Sequence, residues 1–269
     1  MENHQFIQFR NSTIFYRVFG SGKTVMLLHG FGEDGHIWDA IVKKLQRSFH
    51  IIVPDIPGSG KSTILRNGTN QISIDDYAEA IMEVLRAEAV NKCTVIGHSM
   101  GGYITLAIAE KHSEILNSFG LFHSTAYADS EEKKQTRLKS IEFIQTHDAP
   151  SFLKTSIPGL FSDKFTQEHP NIIEELINAG SYFSSEPLIQ YQRAMISRPE
   201  RIKILQETNL PVLFIIGEKD PAIPLQHSLA QCHTAYVSIV HILPNAGHMG
   251  MFEKTEASAD IIYSFLDNF

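Results

Sequence analysis

Short apolar runs recur along the chain with little or no polar face. The strongest are residues 24–30 (TVMLLHG), 50–55 (HIIVPD), 93–99 (CTVIGHS) and 211–220 (PVLFIIGEKD). Runs of this kind predict strands covered on both faces in a parallel sheet. Residues 115–124 (ILNSFGLFHS) and 236–244 (YVSIVHILP) carry a weaker form of the signal. Ahead of them all, FIQF at 6–9 and TIFYRVF at 13–19 are short and β-rich, and a Gly20-Ser21-Gly22 turn separates them from the first buried run. Apolar positions at helical spacing fill the intervals over residues 37–47, 74–89, 101–112, 225–233 and 257–269. Strand and helix in alternation predict βαβ units and a doubly wound sheet.

One region breaks the rhythm. Residues 125–200 hold no buried-strand run, and Pro150, Pro158, Pro170, Pro187 and Pro199 cut them into short pieces. Asp129-Ser130-Glu131-Glu132 predicts a helix start, with negative charge where the helix dipole favours it. The mixed Glu/Lys run after it reads as a solvated face. The segment is expected to be a helical insertion, with residues 1–124 and 201–269 forming the sheet core. Its aromatics, Tyr127, Phe143, Phe152, Phe161, Phe165, Tyr182, Phe183 and Tyr191, are expected mostly to pack it on that core.

Bulk properties narrow the classes. The chain has 269 residues, 43% hydrophobic and 20% charged, which excludes a disordered chain. A net charge of −7 with no basic block argues against a nucleic-acid partner. No apolar run is long enough to span a bilayer, and Met1-Glu2-Asn3-His4-Gln5 lacks the regions of a secretory signal. Cys93 and Cys232 sit in apolar contexts without CxxC spacing, so buried thiols are expected in place of a disulfide or zinc site. These features together point to a soluble, cytoplasmic protein without membrane contact.

The candidate chemistry lies at the ends of the apolar runs. Gly97-His98-Ser99-Met100-Gly101 is a Gly-x-Ser-x-Gly between a buried strand and a helix, a context that presents Ser99 on a sharp turn. The bland alternative is a glycine-rich turn with an incidental serine. A serine nucleophile needs a base, and the base an orienting acid. Asp220 comes after one later strand and His248 after the last, so the chain order is Ser, Asp, His. An oxyanion needs two donors; the backbone N–H of Met100 and, from the HGFGED loop, that of Phe31 are the candidates. Asp55-Ile-Pro-Gly-Ser-Gly-Lys61-Ser62 ends like a phosphate-binding loop. A carboxylate, Asp55, nevertheless stands where that motif needs glycine, and no helical pattern comes after it.

LLHGFG, VPDIPGSGKS, VIGHSMGG, IIGEKDPAIP and PNAGHMGMFEK occur in this order over nearly the whole chain. In these motifs the sequence resembles the α/β-hydrolase superfamily, in its serine-nucleophile, carboxylesterase-like branch with a helical cap between the sixth and seventh strands. The resemblance implies a mostly parallel eight-stranded sheet with helices on both faces, and it makes DIPGSGKS a structural turn beside the site. Gly250 and Thr255 stand where many members carry prolines, and Thr255 is expected to cap the last helix instead. A serine at 99 sets the chain apart from relatives that attack with aspartate. No metal motif is present, and neither metal nor organic cofactor is expected. His29 and His98 are read as structural. His123 is read as a pocket residue or, preferably, a buried one. The expected activity is that of a serine hydrolase of a small, largely apolar acyl compound, with Phe152, Leu153, Ile157, Leu160, Phe161 and Phe165 as candidate pocket walls and few charges among them. The alternatives are a carbon–carbon bond hydrolase or enol-lactonase with the same triad, and a triad-retaining small-molecule receptor.

Overall fold

The computed structural model describes residues 3–68 and 71–269. Met1 and Glu2, part of the leader reading, and Thr69 and Asn70, part of the stretch after the DIPGSGKS turn, lie outside the described residues. The strands are β1 (Asn3–Phe9), β2 (Ser12–Phe19), β3 (Lys23–Leu28), β4 (Phe49–Pro54), β5 (Cys93–His98), β6 (Leu116–Phe122), β7 (Val212–Gly217) and β8 (Ser238–Leu243). They form an eight-stranded sheet in the order β1-β2-β4-β3-β5-β6-β7-β8. β2 runs antiparallel to both its neighbours, and every other pairing is parallel. The expected α/β-hydrolase architecture is therefore present.

Burial explains which strands the sequence displayed clearly. β5 and β7 are buried at every position, so neither has a polar face. β8 is an edge strand whose Val240 and Ile242 are 39% and 44% exposed, and its pattern is correspondingly mixed. β1, at the other edge, begins at Asn3 with polar residues, because only its pairing with β2 defines it.

The helices are α1 (Asp39–Leu45), α2 (Ile74–Ala87), α3 (Met100–Lys111), α4 (Glu131–Thr146), α5 (Ala149–Ser156), α6 (Asp163–Glu168), α7 (Pro170–Gly180), α8 (Ser185–Ser197), α9 (Ile202–Glu207), α10 (Leu225–Cys232), α11 (Gly250–Glu253) and α12 (Thr255–Asn268). α2 starts on a reciprocal cap between Ser73 and Asp76 and buries Tyr77, Ile81, Val84 and Leu85 on one face. α4 starts on Ser130, whose hydroxyl accepts from the Lys133 amide. The expectation for Thr255 is not met. Lys254 is the N-cap of α12, and the Thr255 hydroxyl instead donates to the Met251 and Phe252 carbonyls at 2.8 and 3.2 Å. α11 ends immediately before α12, so its bare carbonyls compete successfully for that hydroxyl.

Between β6 and β7 the chain is helical, from α4 to α9. Tyr191 of α8, fully buried, packs edge-on to Phe31 and against Tyr77, and its hydroxyl reaches Ser59, Ile56 and Pro57 at 2.8–3.1 Å. Tyr182, by contrast, is 90% exposed and packs nothing on the sheet. Both cysteines are buried free thiols. No helix among the described residues is long and apolar enough to cross a membrane.

Candidate active site

The site is built at the carboxyl ends of β3, β5, β7 and β8, where the turns after the strands leave donors and side chains pointing out of the sheet. Ser99 sits between β5 and α3 with φ 50° and ψ −114°, a conformation that costs a non-glycine residue about 1–3 kcal/mol. The surroundings over-determine it. The Ser99 amide donates to Phe122 O at 3.0 Å, and its carbonyl accepts from Gly102 N at 2.9 Å and Ser124 Oγ at 2.7 Å. A Cβ on Gly97 would overlap the Gly101 backbone, and one on Gly101 would come within 2.5–2.9 Å of the Leu28 and His29 backbone. The two glycines are therefore what lets the turn close.

Asp220 and His248 come from loops after β7 and β8. The Asp220 Oδ1 accepts the Ala222 and Ile223 amides at 2.8 and 2.9 Å, which aims Oδ2 at His248 Nδ1, 2.8 Å away. Burial opposes ionisation of Asp220, but the His248 imidazole and the hydrogen bonds outweigh it and hold the carboxyl far below the usual range. Because Nδ1–H donates to Asp220, the free lone pair of the neutral His248 ring is on Nε2. Ser99 and His248 line one cavity of about 420 Å³.

The sequence-predicted donors also lie here. Neither the Phe31 nor the Met100 amide has an acceptor among the described residues. Met100 opens α3, where helix geometry leaves its N–H without an intrahelical partner.

Three groups tie these loops together, the buried side chains of Glu33 and His98 and the part-buried Glu253. Glu33 Oε2 accepts from Gly30 N at 2.6 Å and faces His98 Nδ1 at 3.0 Å, while His98 Nε2 faces the His248 carbonyl at 3.0 Å. A carboxylate and a carbonyl only accept, so His98 donates from both nitrogens and is an imidazolium. Burial works against each charge, yet each group shifts the other towards its charged form: Glu33 is lowered and His98 raised. Glu253 accepts from Gly247 N and Ser162 Oγ at 2.9 and 2.6 Å, bracing the turn before His248. His98 is structural, as expected, and so is His29, whose Nε2 accepts the Ile56 amide at 2.8 Å. Nothing in HGFGED distinguishes Glu33 as a buried acceptor, and only the folded loop returns it to Gly30.

His123 is buried and does not line the cavity. Its Nδ1 lies 3.0 Å from Gly217 N and 3.2 Å from Asp220 Oδ2. It cannot accept from one and donate to the other. The Gly217 hydrogen is fixed by the backbone, so Nδ1 accepts it, and the contact with Asp220 is not an ion pair. Burial lowers the ring to about 4, which agrees with a neutral histidine. His123, Asp220 and His248 are the group of metal-ligating side chains brought together among the described residues. The nitrogen atoms facing Asp220 are engaged, one by the Gly217 amide and the other in donating its proton, so neither offers a lone pair to a cation.

The DIPGSGKS turn is held by Asp55, which is 1% exposed and accepts the Gly35 and Lys61 amides at 2.9 and 2.8 Å. A carboxylate thus fills the centre that a phosphate would need. Of the candidate walls, Phe152, Leu153, Ile157 and Leu160 line the cavity, whereas Phe161 and Phe165 stack on each other outside it. Two expectations need correction. The walls carry more charge than the few expected, since Glu33, Asp34, Lys133 and Arg137 also border the cavity. The Glu/Lys run is only partly a solvated face: Glu131 and Glu132 are exposed, but Lys133 turns inward. Ile141 and Ile144 are the buried residues of α4, and residues 133, 136, 137 and 140 share the face that looks into the cavity.

Residues 23–125 match the family model described as alpha/beta hydrolase fold. A thermophilic esterase from Thermogutta terrifontis has a similar structure, with TM-score 0.92 and 25% identity over 99% of this chain and 98% of that one. Lipase 3 of Moraxella sp. is 24% identical over 92% of this chain and 78% of its own length. The 2-hydroxy-6-oxo-6-(2'-aminophenyl)hexa-2,4-dienoic acid hydrolase of Metapseudomonas resinovorans is 24% identical over 92% and 85% respectively. The sheet order, the serine turn and these likenesses agree on an α/β-hydrolase fold, and the chain is a hydrolytic enzyme.

Proposed function

We propose that the chain is a serine esterase that cleaves a small carboxylic ester through an acyl-enzyme. The observation that carries this reading is the juxtaposition of a serine on a strained turn with an Asp220-oriented His248 in one cavity. In this mechanism Ser99 Oγ attacks the carbonyl carbon as its proton passes to His248 Nε2. The carbonyl oxygen becomes an oxyanion that accepts from the Phe31 and Met100 amides, a role supported by their lack of another acceptor among the described residues. Collapse expels the alcohol, which takes the proton back from His248. Water then attacks the acyl carbon with His248 again as base, and Ser99 leaves with the returned proton. Helices α4–α8 serve as a cap over this site. Their contact with it supports that role: the Leu160 carbonyl accepts the His248 amide at 2.7 Å.

The test is chemical. A fluorophosphonate probe should label Ser99 alone, and Ser99→Ala should lower p-nitrophenyl ester hydrolysis by several orders of magnitude with the fold retained. Labelling at another residue, or an active Ser99→Ala protein, would overturn the assignment. The likeness to the Metapseudomonas hydrolase favours one competing reading, carbon–carbon bond hydrolysis with the same groups. Product analysis on a vinylogous β-diketone separates the two.

A further inference from the structure

The cavity has two unlike walls. Phe31, Phe152, Leu153 and Ile157 form an apolar one, and the inward face of α4 forms a polar one carrying Lys133. The other charged groups at the cavity already have partners. Glu33 is held by His98, Asp34 by His36 at 2.9 Å, and Arg137 by Asp129 at 2.6 Å. Asp129 also takes Arg198 at 2.9 Å, and Asp220 is committed to His248. Lys133 differs. Among the described residues it forms no ion pair, and its Nζ donates only to the Ala222 carbonyl at 3.4 Å. Lys133, Arg137 and Arg198 face two neighbouring carboxylates, Asp129, already doubly engaged, and Asp220, committed to His248, so this wall carries a surplus of positive charge. Glu132, which borders only the adjoining cavity, is exposed and screened by water.

Lys133 is also set apart by its position. A second cavity of about 690 Å³ adjoins the first, and Lys133, Tyr103, Ala222 and Ile223 line both. Lys133 thus stands at the junction, half-buried, where a group carried by a substrate seated at Ser99 would meet it. Burial, and then the Arg137 guanidinium, lower the Lys133 pKa, and an incoming anion would offset both effects. The chain as a whole carries −7 and repels anions at long range, so any preference for one must be local.

We propose that Lys133 forms an anion subsite, and that the enzyme's substrate is an ester bearing a carboxylate or similar anionic group distal to the scissile bond. This inference rests on the esterase reading of Ser99 for its chemistry, but the subsite can be tested by binding alone. The probes are monomethyl esters of dicarboxylic acids from succinate to sebacate, each paired with its dimethyl ester. In the native enzyme kcat/KM for the monoester of fitting length should exceed that for the diester by roughly five- to tenfold at low salt, the size of one partly screened charged hydrogen bond. Lys133→Met should bring that ratio close to one, and Lys133→Arg should keep most of it. In parallel, Ser99→Ala protein should bind the monoester more tightly than the diester, and Ser99→Ala/Lys133→Met should not discriminate. Equal handling of the two esters by the native enzyme, a preference that survives in Lys133→Met, or no binding of either ester overturns the subsite. If neither ester is hydrolysed but Ser99→Ala binds the monoester through Lys133, the subsite stands and the esterase reading falls.

Discussion

At the scale of single residues, the buried Glu33–His98 pair has the clearest consequence. It joins the loop carrying Phe31 to the turn carrying Ser99 and to the His248 carbonyl. Glu33 has a lowered folded pKa, so its stabilising effect is present above its ordinary value of 4.5 and is lost as pH falls through the folded one. His98 has a raised folded pKa, so its effect is present below 6.5 and is lost as pH rises through the folded one. Both effects are complete only between those ordinary values. Glu33→Gln keeps an acceptor for Gly30 and removes the charge, and it should cost about 2 kcal/mol of unfolding free energy near pH 5.5. Urea melts across pH should show the gap to the native protein widest between 4.5 and 6.5 and closing on the alkaline side. A gap independent of pH would mean that the pair is not ionised.

At the scale of elements, the strand–turn–helix of β5, Ser99 and α3 is where sequence and structure agree most closely, and the reason is steric. A turn that tight admits only glycine at 97 and 101, so its residue pattern is legible without coordinates. Gly101→Ala should lower stability by about 3 kcal/mol or more, because backbone carbonyls of the neighbouring strand cannot give way as a side chain can. Gly159→Ala, with open space around the added methyl, should stay within about 0.5 kcal/mol. Thermal melts of the two variants compare these outcomes directly. Strands buried on both faces were legible for a similar reason, since a continuous apolar run has few other uses. Thr255 and Lys133 were not legible. Thr255 lost its cap role to carbonyls freed by a four-residue helix next to it, and Lys133 left the solvated face because burial of Ile141 and Ile144 fixes the rotation of α4. Glu33 was hidden for a third reason: its partners, Gly30 and His98, meet only when β3 and β5 pair.

At the scale of the whole molecule, the helices between β6 and β7 line much of the cavity that also holds Ser99 and His248, and on the esterase reading this sets which acyl groups fit. Phe152, Leu153 and Ile157 come from α5 and the turn after it, and Leu176 and Phe183 from further along the same segment. With Phe31 they line a cavity of about 420 Å³, within the common range for a small-ligand site. Each methylene buried against such walls should favour binding by about 0.8 kcal/mol, roughly fourfold per carbon, until the space is filled. Beyond that length a neutral chain has to cross the polar junction at Lys133, where it would desolvate the ammonium without offering an acceptor. For p-nitrophenyl esters from acetate to palmitate, kcat/KM should therefore climb over the first few carbons and then fall sharply, with palmitate a poor substrate. If the helical segment instead packs on the sheet without bounding the acyl group, the profile will be flat or will keep rising. Good turnover of palmitate would show an open groove in place of the enclosed cavity.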